Sequence, residues 1–213
     1  MGTISKGILG GFSGKVGTVV GANWKGISYM RSKAEGRRTT FTQAQLDQQA
    51  KFTTAMKFLL TMNGLLEVGF RNYAVKMTGI NSALSYTLKN AITGSYPSYS
   101  VDYSNVLVSR GDLPNGGSPT AAATAGNKVT FNWADNSGSG KAGPKDPAIL
   151  AVYCPQKNQC IFTTAGPDRS TGTGTIDVGA FAGLAVQTYI GFLSFDGKDV
   201  ASSIFTGQLT VTP

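Results

Sequence analysis

Two glycine–lysine pairs suggest phosphate chemistry: Gly14-Lys15 within GILGGFSGKVGTVVGANWKG (residues 7–26) and Gly140-Lys141 within GSGK (residues 138–141). A nucleotide loop of this kind needs G-x-x-x-x-G-K-[S/T], so that backbone N–H groups cradle the phosphates and the hydroxyl holds Mg²⁺. The first pair has Leu9 in place of the leading glycine and Val16 in place of the hydroxyl. The second has Asp135 and Ala142 at those positions. Both fail at defining residues, so residues 7–26 read as a glycine-rich hairpin segment and residues 138–141 as a loop.

Other reactive side chains are sparse. The chain has no histidine, so Ser-His-Asp and Cys-His arrangements are excluded. Its two cysteines, Cys154 and Cys160 in YCPQKNQC, make no zinc site without histidine partners. Two readings of them stand. A hairpin could set them opposite each other within disulfide reach, or they are free thiols of a reducing compartment. The carboxylates Asp102, Asp112, Asp135, Asp146, Asp168, Asp177, Asp196 and Asp199 nearly all lie beside Gly, Pro, Ser or Asn, as turn aspartates do. No loop has the aspartate spacing of a calcium cage. The residues therefore predict a non-enzymatic protein with no catalytic residue, cofactor or metal site.

The cations are distributed unevenly. Residues 1–94 hold 12 Lys/Arg against 3 Asp/Glu, a balance of +9, whereas residues 95–213 hold 7 against 8, a balance of −1. Lys6, Lys15, Lys25, Arg31, Lys33, Arg37 and Arg38 fall in the first 38 residues, with Glu35 the only acid. Trp24 and Tyr29 are interleaved and could stack on bases, while a basic arm neutralises phosphates without reading sequence. Three readings remain: contact with nucleic acid, contact with an acidic patch on a neighbouring subunit, or simple solvation of a hairpin and helix start. Tyr96, Tyr99 and Tyr103 read as a carbohydrate or partner platform, or as packing where two regions join.

The elements that position these residues follow from pattern. Residues 16–33 predict a hairpin, with Val16, Thr18, Val20, Ala22 and Trp24 alternating, a turn at Lys25-Gly26, and Ile27, Tyr29 and Arg31 continuing. Its glycines weaken a strand unless another backbone approaches closely there. Thr42 with Gln45 is a capping-box pattern opening a helix over about 43–62. Leu46, Gln49, Ala50, Phe52, Thr53, Met56, Leu59 and Leu60 give it a broad stripe, and Asn63-Gly64 ends it. A second helix follows Asn81 as N-cap and stops before Gly94, with the stretch between the two helices left open between helix and irregular structure. All eight prolines lie from Pro97 onward, where the texture becomes strands and turns. Seven strand segments, 103–113, 127–136, 147–155, 159–166, 172–179, 185–197 and 202–211, predict a β-sandwich.

The fold class expected is therefore α+β: an N-terminal β-hairpin plus helices over 1–94, then a C-terminal antiparallel β-sandwich over 95–213. Charged residues are 14% of the chain against about 25% in ordinary soluble domains, a surface texture common in secreted and virion proteins. No apolar run reaches the roughly 18 residues of a membrane span. The N-terminus does not read as a signal peptide, which leaves the cytoplasm as an alternative to a virion or extracellular surface.

Two resemblances add to this reading. The second region resembles a fibronectin type III or immunoglobulin-like module, with Trp133 on an early strand and LAVQTYIGFLSFDGKDVAS (184–202) similar to the late strand pair. That likeness implies a tyrosine corner formed by Leu184 and Tyr189, one residue closer together than usual. The whole chain also resembles a family of Bacteroidota and their phages, through GKVGTVVGANWKGISYMRS, AQLDQQAKFTTAMKFL, NSALSYTLKNAITGSYP and DYSNVLVSRGDL. That family carries no assigned activity, so the likeness implies the domain plan and supplies no site. The expected function is a structural or assembly protein, self-associating through its N-terminal region as a virion component or surface filament subunit. The alternatives are a nucleic-acid-associated protein and an adhesin or glycan-binding module.

Overall fold

The computed structural model describes residues 2–4, 7, 10–36 and 40–213. The expected contact residues Lys6, Arg37 and Arg38 lie outside the described residues. The chain divides into two compact units, Met1–Gln43 and Ala44–Pro213. The compositional shift near Gly94 falls inside the second.

The first unit is a four-stranded antiparallel sheet, in the order β1 (Thr3–Ile4), β2 (Phe12–Val16), β3 (Val19–Trp24), β4 (Ile27–Ser32). The expected hairpin is β3–β4, paired from Val19↔Ser32 to Trp24↔Ile27. Its turn has φ 47° at Lys25 and 82° at Gly26, the double positive φ of a type I′ turn. The structure corrects one end of it. Gly17-Thr18 is itself a two-residue turn, so Val16 belongs to β2 and faces Val19. Gly21 is the place of close approach: a methyl group there would stand 2.6 Å from the Phe12 ring.

The second unit has three layers. Three helices, α1 (Gln43–Leu59), α2 (Asn63–Gly69) and α3 (Gly79–Asn90), are followed by a small hairpin, β5 (Ile92–Ser95) and β6 (Ser98–Val101). Seven strands complete it: β7 (Gly117–Thr124), β8 (Lys128–Ala134), β9 (Ala148–Cys154), β10 (Gln159–Thr163), β11 (Thr173–Asp177), β12 (Ala185–Phe192) and β13 (Ile204–Thr210). They form a four-stranded sheet, β10-β9-β12-β13, and a three-stranded sheet, β11-β8-β7, both antiparallel. The α+β class is as the sequence predicts.

Strand β9, AILAVYC, is buried at every residue. Period-2 alternation sorts it onto two faces. Ile149, Ala151 and Tyr153 pack with Phe58, Leu59, Leu65, Leu66, Phe70 and Leu84 of the helical layer. Ala148, Leu150, Val152 and Cys154 pack with Phe131 and Trp133 of the opposite sheet. Strand β12 divides likewise, with Tyr189 toward the helices and Val186, Ile190 and Phe192 toward the sheet. Trp133, 5% exposed, meets Phe192 edge-on at 5.4 Å.

Several expectations change. The first of the seven strands is not 103–113. That segment contains a short 3₁₀ turn, Tyr103–Asn105, and then runs as a strap whose backbone is held by other partners. Ser203 Oγ accepts from the N–H groups of Val108 at 2.9 Å and Ser109 at 3.3 Å, and the Arg110 N–H donates to the Gly69 carbonyl at 2.8 Å. The missing strand is β7, a sheet edge with Pro119 at a register irregularity between Gly117 and Thr120. Helix α1 buries Ala55, Phe58 and Leu59 and leaves Phe52 exposed, and Leu60 is exposed in the 3₁₀ turn, Leu60–Met62, that follows it. Asn63-Gly64 opens α2 instead of ending the helical region, and α3 is capped by Thr78, whose hydroxyl accepts from the Asn81 N–H at 3.3 Å.

The disulfide and the tyrosine corner are overturned as well. Cys154 and Cys160 are free. Cys160 pairs with Tyr153, and Cys154 with Gln159, so the thiols are one register step apart and point to opposite faces. Burial pushes the Cys160 thiol up to about 12. The Tyr189 hydroxyl donates to the Tyr103 carbonyl at 2.9 Å, toward the helical layer, and so makes no corner beside its own strand.

One end of the two sheets is fastened by a buried ion pair. Arg169 is fully buried, and its Nε and Nη2 lie 3.3 and 3.2 Å from Asp146 Oδ2. Its Nη1 donates to Asn136 Oδ1 at 2.8 Å and Nη2 to the Pro114 carbonyl at 2.9 Å, while the guanidinium lies 4.2 Å over Phe192. Trp133 Nε1 donates to the Arg169 carbonyl at 2.7 Å. Asp146 also accepts from the Gly143 and Phe195 N–H groups. Removing one member strands a buried charge. Asp146→Ala is expected to cost about 3–5 kcal/mol in urea denaturation. The double change Asp146→Leu with Arg169→Met is expected to cost less than the two single changes together.

Candidate functional site

The register of the N-terminal sheet assigns each side chain to a face. Opposed residues share a face, so Lys15↔Val20↔Arg31, Ala22↔Tyr29 and Trp24↔Ile27 place Lys15, Val20, Ala22, Trp24, Ile27, Tyr29 and Arg31 together. The sheet thus gathers four of the expected contact residues, Lys15, Trp24, Tyr29 and Arg31, onto one side. Lys25 stands in the turn with its ammonium 5.5 Å over the Trp24 ring. Lys33 follows β4, its N–H donating to the Thr18 carbonyl at 2.7 Å. Among the described residues the opposite face carries Phe12, Val16, Val19, Gly21, Asn23 and Met30, none of them charged.

Among the described residues, both faces carry exposed apolar side chains. Trp24 is 44% exposed, Tyr29 45% and Ile27 47% on the basic aromatic face, and Val16 54% and Met30 71% on the neutral face. Strand β4 ends the sheet, and all six of its residues are exposed. The sequence signal for the shared face was the two-residue turn at Lys25-Gly26, which fixes Trp24 opposite Ile27. The neutral face was not legible, because it depends on β2 folding back through a second turn at Gly17-Thr18.

The other expected groups lie in the second unit. Tyr99 and Tyr103 are held in place. The Tyr99 hydroxyl donates to Asp47, which also pairs with Lys51 at 2.8 Å, and the Lys51 ammonium lies 5.1 Å over the Tyr99 ring. That contact lowers the Asp47 carboxyl, through Lys51 first and Tyr99 second. Tyr103 packs 5.9 Å from Phe58 and 5.7 Å from Tyr153, while Tyr96 is exposed at the β5–β6 turn. Sequence reasoning missed Arg110, whose guanidinium lies 4.2 Å from the Tyr73 ring and 5.5 Å from the Tyr86 ring.

Asp102, Asp135, Asp177 and Asp196 each accept a hydrogen bond from the N–H two residues on, the geometry of an Asx turn. Among the described residues no three His, Cys, Asp or Glu side chains gather as metal ligands. Among the described residues no helix is long and apolar enough to cross a membrane.

The architecture defines an α+β protein with an exposed antiparallel sheet in one unit and two antiparallel sheets under a helical layer in the other. The chain belongs to DUF6266, a family of unknown function whose model matches residues 11–207 and so spans both units. No curated protein matches it.

One carboxylate gives a direct check of the turn geometry. Hydrogen bonds from the Ser194 hydroxyl and then the Lys198 N–H hold the Asp196 carboxyl down at about 2. A folded value below the unfolded one means the turn is favoured above a pH of about 4 and loses that support as pH falls through about 2. A carbon-detected NMR titration is expected to find the Asp196 midpoint about there, and Ser194→Ala is expected to move it upward.

Proposed function

We propose that the protein is a non-enzymatic structural or assembly component that self-associates through its N-terminal unit, as a virion component or the subunit of a surface filament. One observation carries this reading: a four-stranded sheet with aromatic and aliphatic residues exposed on both faces and an open edge at β4. A small sheet of this kind needs a covered apolar face to be stable. Exposed apolar surface and an unpaired edge are also what strand addition between copies uses. The edge carries little of the usual protection, since β4, ISYMRS, contains no proline and a single charged residue, Arg31.

The body in this proposal is a fibronectin type III-like sandwich built from β7–β13. Its support is the division into three and four antiparallel strands sharing one core, with Trp133 buried between them. The division of charge suits the same plan, because residues 1–43 hold seven Lys/Arg against one acid, a balance of +6.

A second reading, nucleic-acid contact, is favoured by the gathering of Lys15, Trp24, Tyr29 and Arg31 on one face. Salt separates the two readings, because phosphate contacts weaken steeply as salt rises and apolar strand pairing does not. Light scattering across protein concentration, at low and high salt, tests the proposal. The wild-type chain is expected to form species larger than one chain at both salt concentrations. The double variant Ile27→Lys with Met30→Lys is expected to stay monomeric with its near-ultraviolet spectrum from Trp133 intact. A wild-type chain that stays monomeric at high concentration would refute it.

A further inference from the structure

A second concave surface lies along the exposed side of α3. Ser82, Ser85, Tyr86 and Lys89 occur at positions i, i+3, i+4 and i+7, which places them on one face of the helix. The opposite face buries Ala83, Leu84 and Thr87. These four residues, with Tyr73 and Arg110, line a groove of about 450 Å³. That volume is in the range of small-molecule sites, which run from about 300 to 1,000 Å³.

Arg110 is fixed in this groove at both ends. Its backbone N–H bonds the last carbonyl of α2, and its neighbour Ser109 is buried, with its hydroxyl donating to the Ala201 carbonyl at 2.8 Å. At the other end, the guanidinium carbon lies 4.2 Å from the centre of the Tyr73 ring and 5.5 Å from that of Tyr86. Among the described residues the Arg110 guanidinium makes no side-chain hydrogen bond, which leaves its N–H edges available. Among the described residues, neither Arg110 nor Lys89 makes an ion pair, and no carboxylate lines the groove. Two unpaired cations, one of them immobilised, beside two serine hydroxyls form a donor set with no acceptor of matching charge.

We propose that this groove binds a phosphate monoester. A dianion balances the two cations, and the guanidinium fork matches the spacing of phosphate oxygens. Ser82 and Ser85 add neutral donors, and the half-open Tyr73 ring offers a surface for the organic part of the ligand. Holding Arg110 in its bound conformation removes part of the ordering cost of binding. The site is independent of the proposed assembly surface.

The test is calorimetric titration of the full chain with ribose 5-phosphate at constant ionic strength. Saturable binding is expected, weakened about tenfold or more by Arg110→Gln. Lys89→Gln, on the exposed helix surface, is expected to weaken it several-fold. Arg110→Lys should behave as the glutamine variant does, because it keeps the charge and loses the fork. Lys128→Gln, on the three-stranded sheet, should bind as the wild type does. Melting curves establish that each variant is folded, and Lys89→Gln carries the test if Arg110→Gln is not. Equal binding of ribose, undiminished binding by the folded Arg110 and Lys89 variants, or no saturable binding by the wild type would each overturn the proposal.

Discussion

The structure depends on one sheet being buried on both sides. Strands β9 and β12 present alternate residues to two different cores, so every side chain along β9 has an apolar destination. Each large side chain so buried is worth about 1.5–3 kcal/mol. That stabilisation is shared between layers. The helices have no core of their own apart from this sheet, because Phe58, Leu59, Leu66 and Leu84 close against Ile149, Ala151, Tyr153 and Tyr189. The Arg169–Asp146 pair acts on the other side, tying the loops at one end of the two sheets to Trp133 and Phe192.

Two-sided burial also explains what was legible in the sequence. A seven-residue apolar run without alternation marks a strand covered on both faces. The run PAILAVYCP was readable as a strand, but nothing local said that its second face would meet helices. For the same reason the α1 stripe was misjudged. Spacing marks an apolar side but cannot say which turns meet the sheet, and only Ala55, Phe58 and Leu59 do so fully. The cysteines show the limit from another direction. A hairpin at YCPQKNQC was legible, but a single step of register decides whether two side chains share a face. Here it sends Cys154 into one core and leaves Cys160 on the side of the other. Strand β7 was hidden because Ala and Thr with a proline lack strand character unless an adjacent edge is waiting for them. Arg110 was hidden because its partners, Tyr73 and Tyr86, lie far away in sequence on a 3₁₀ turn and on α3.

The N-terminal sheet is the reverse case. Its β3–β4 hairpin was readable almost residue by residue, because Lys25-Gly26 dictates the register, whereas the Gly17-Thr18 turn and the pairing of β2 were not. Its stability is what local pattern does not supply, since neither face has a cover within the described residues. The same short strands that are easiest to read are those with the most exposed apolar surface. The proposed assembly would resolve this imbalance by giving Trp24, Ile27, Tyr29 and Met30 a partner surface.

The central claim is that the second unit is sealed by its own layers, whereas the N-terminal sheet is sealed by another copy of the chain. Hydrogen–deuterium exchange, resolved by residue and compared between dilute and concentrated protein, tests it most directly. The account predicts that amides of β9, β12 and the packed helices are protected together at both concentrations, while amides of β3 and β4 gain protection only as concentration rises. Exchange of β3 and β4 that is independent of concentration, or helices that exchange far faster than β9, would contradict it.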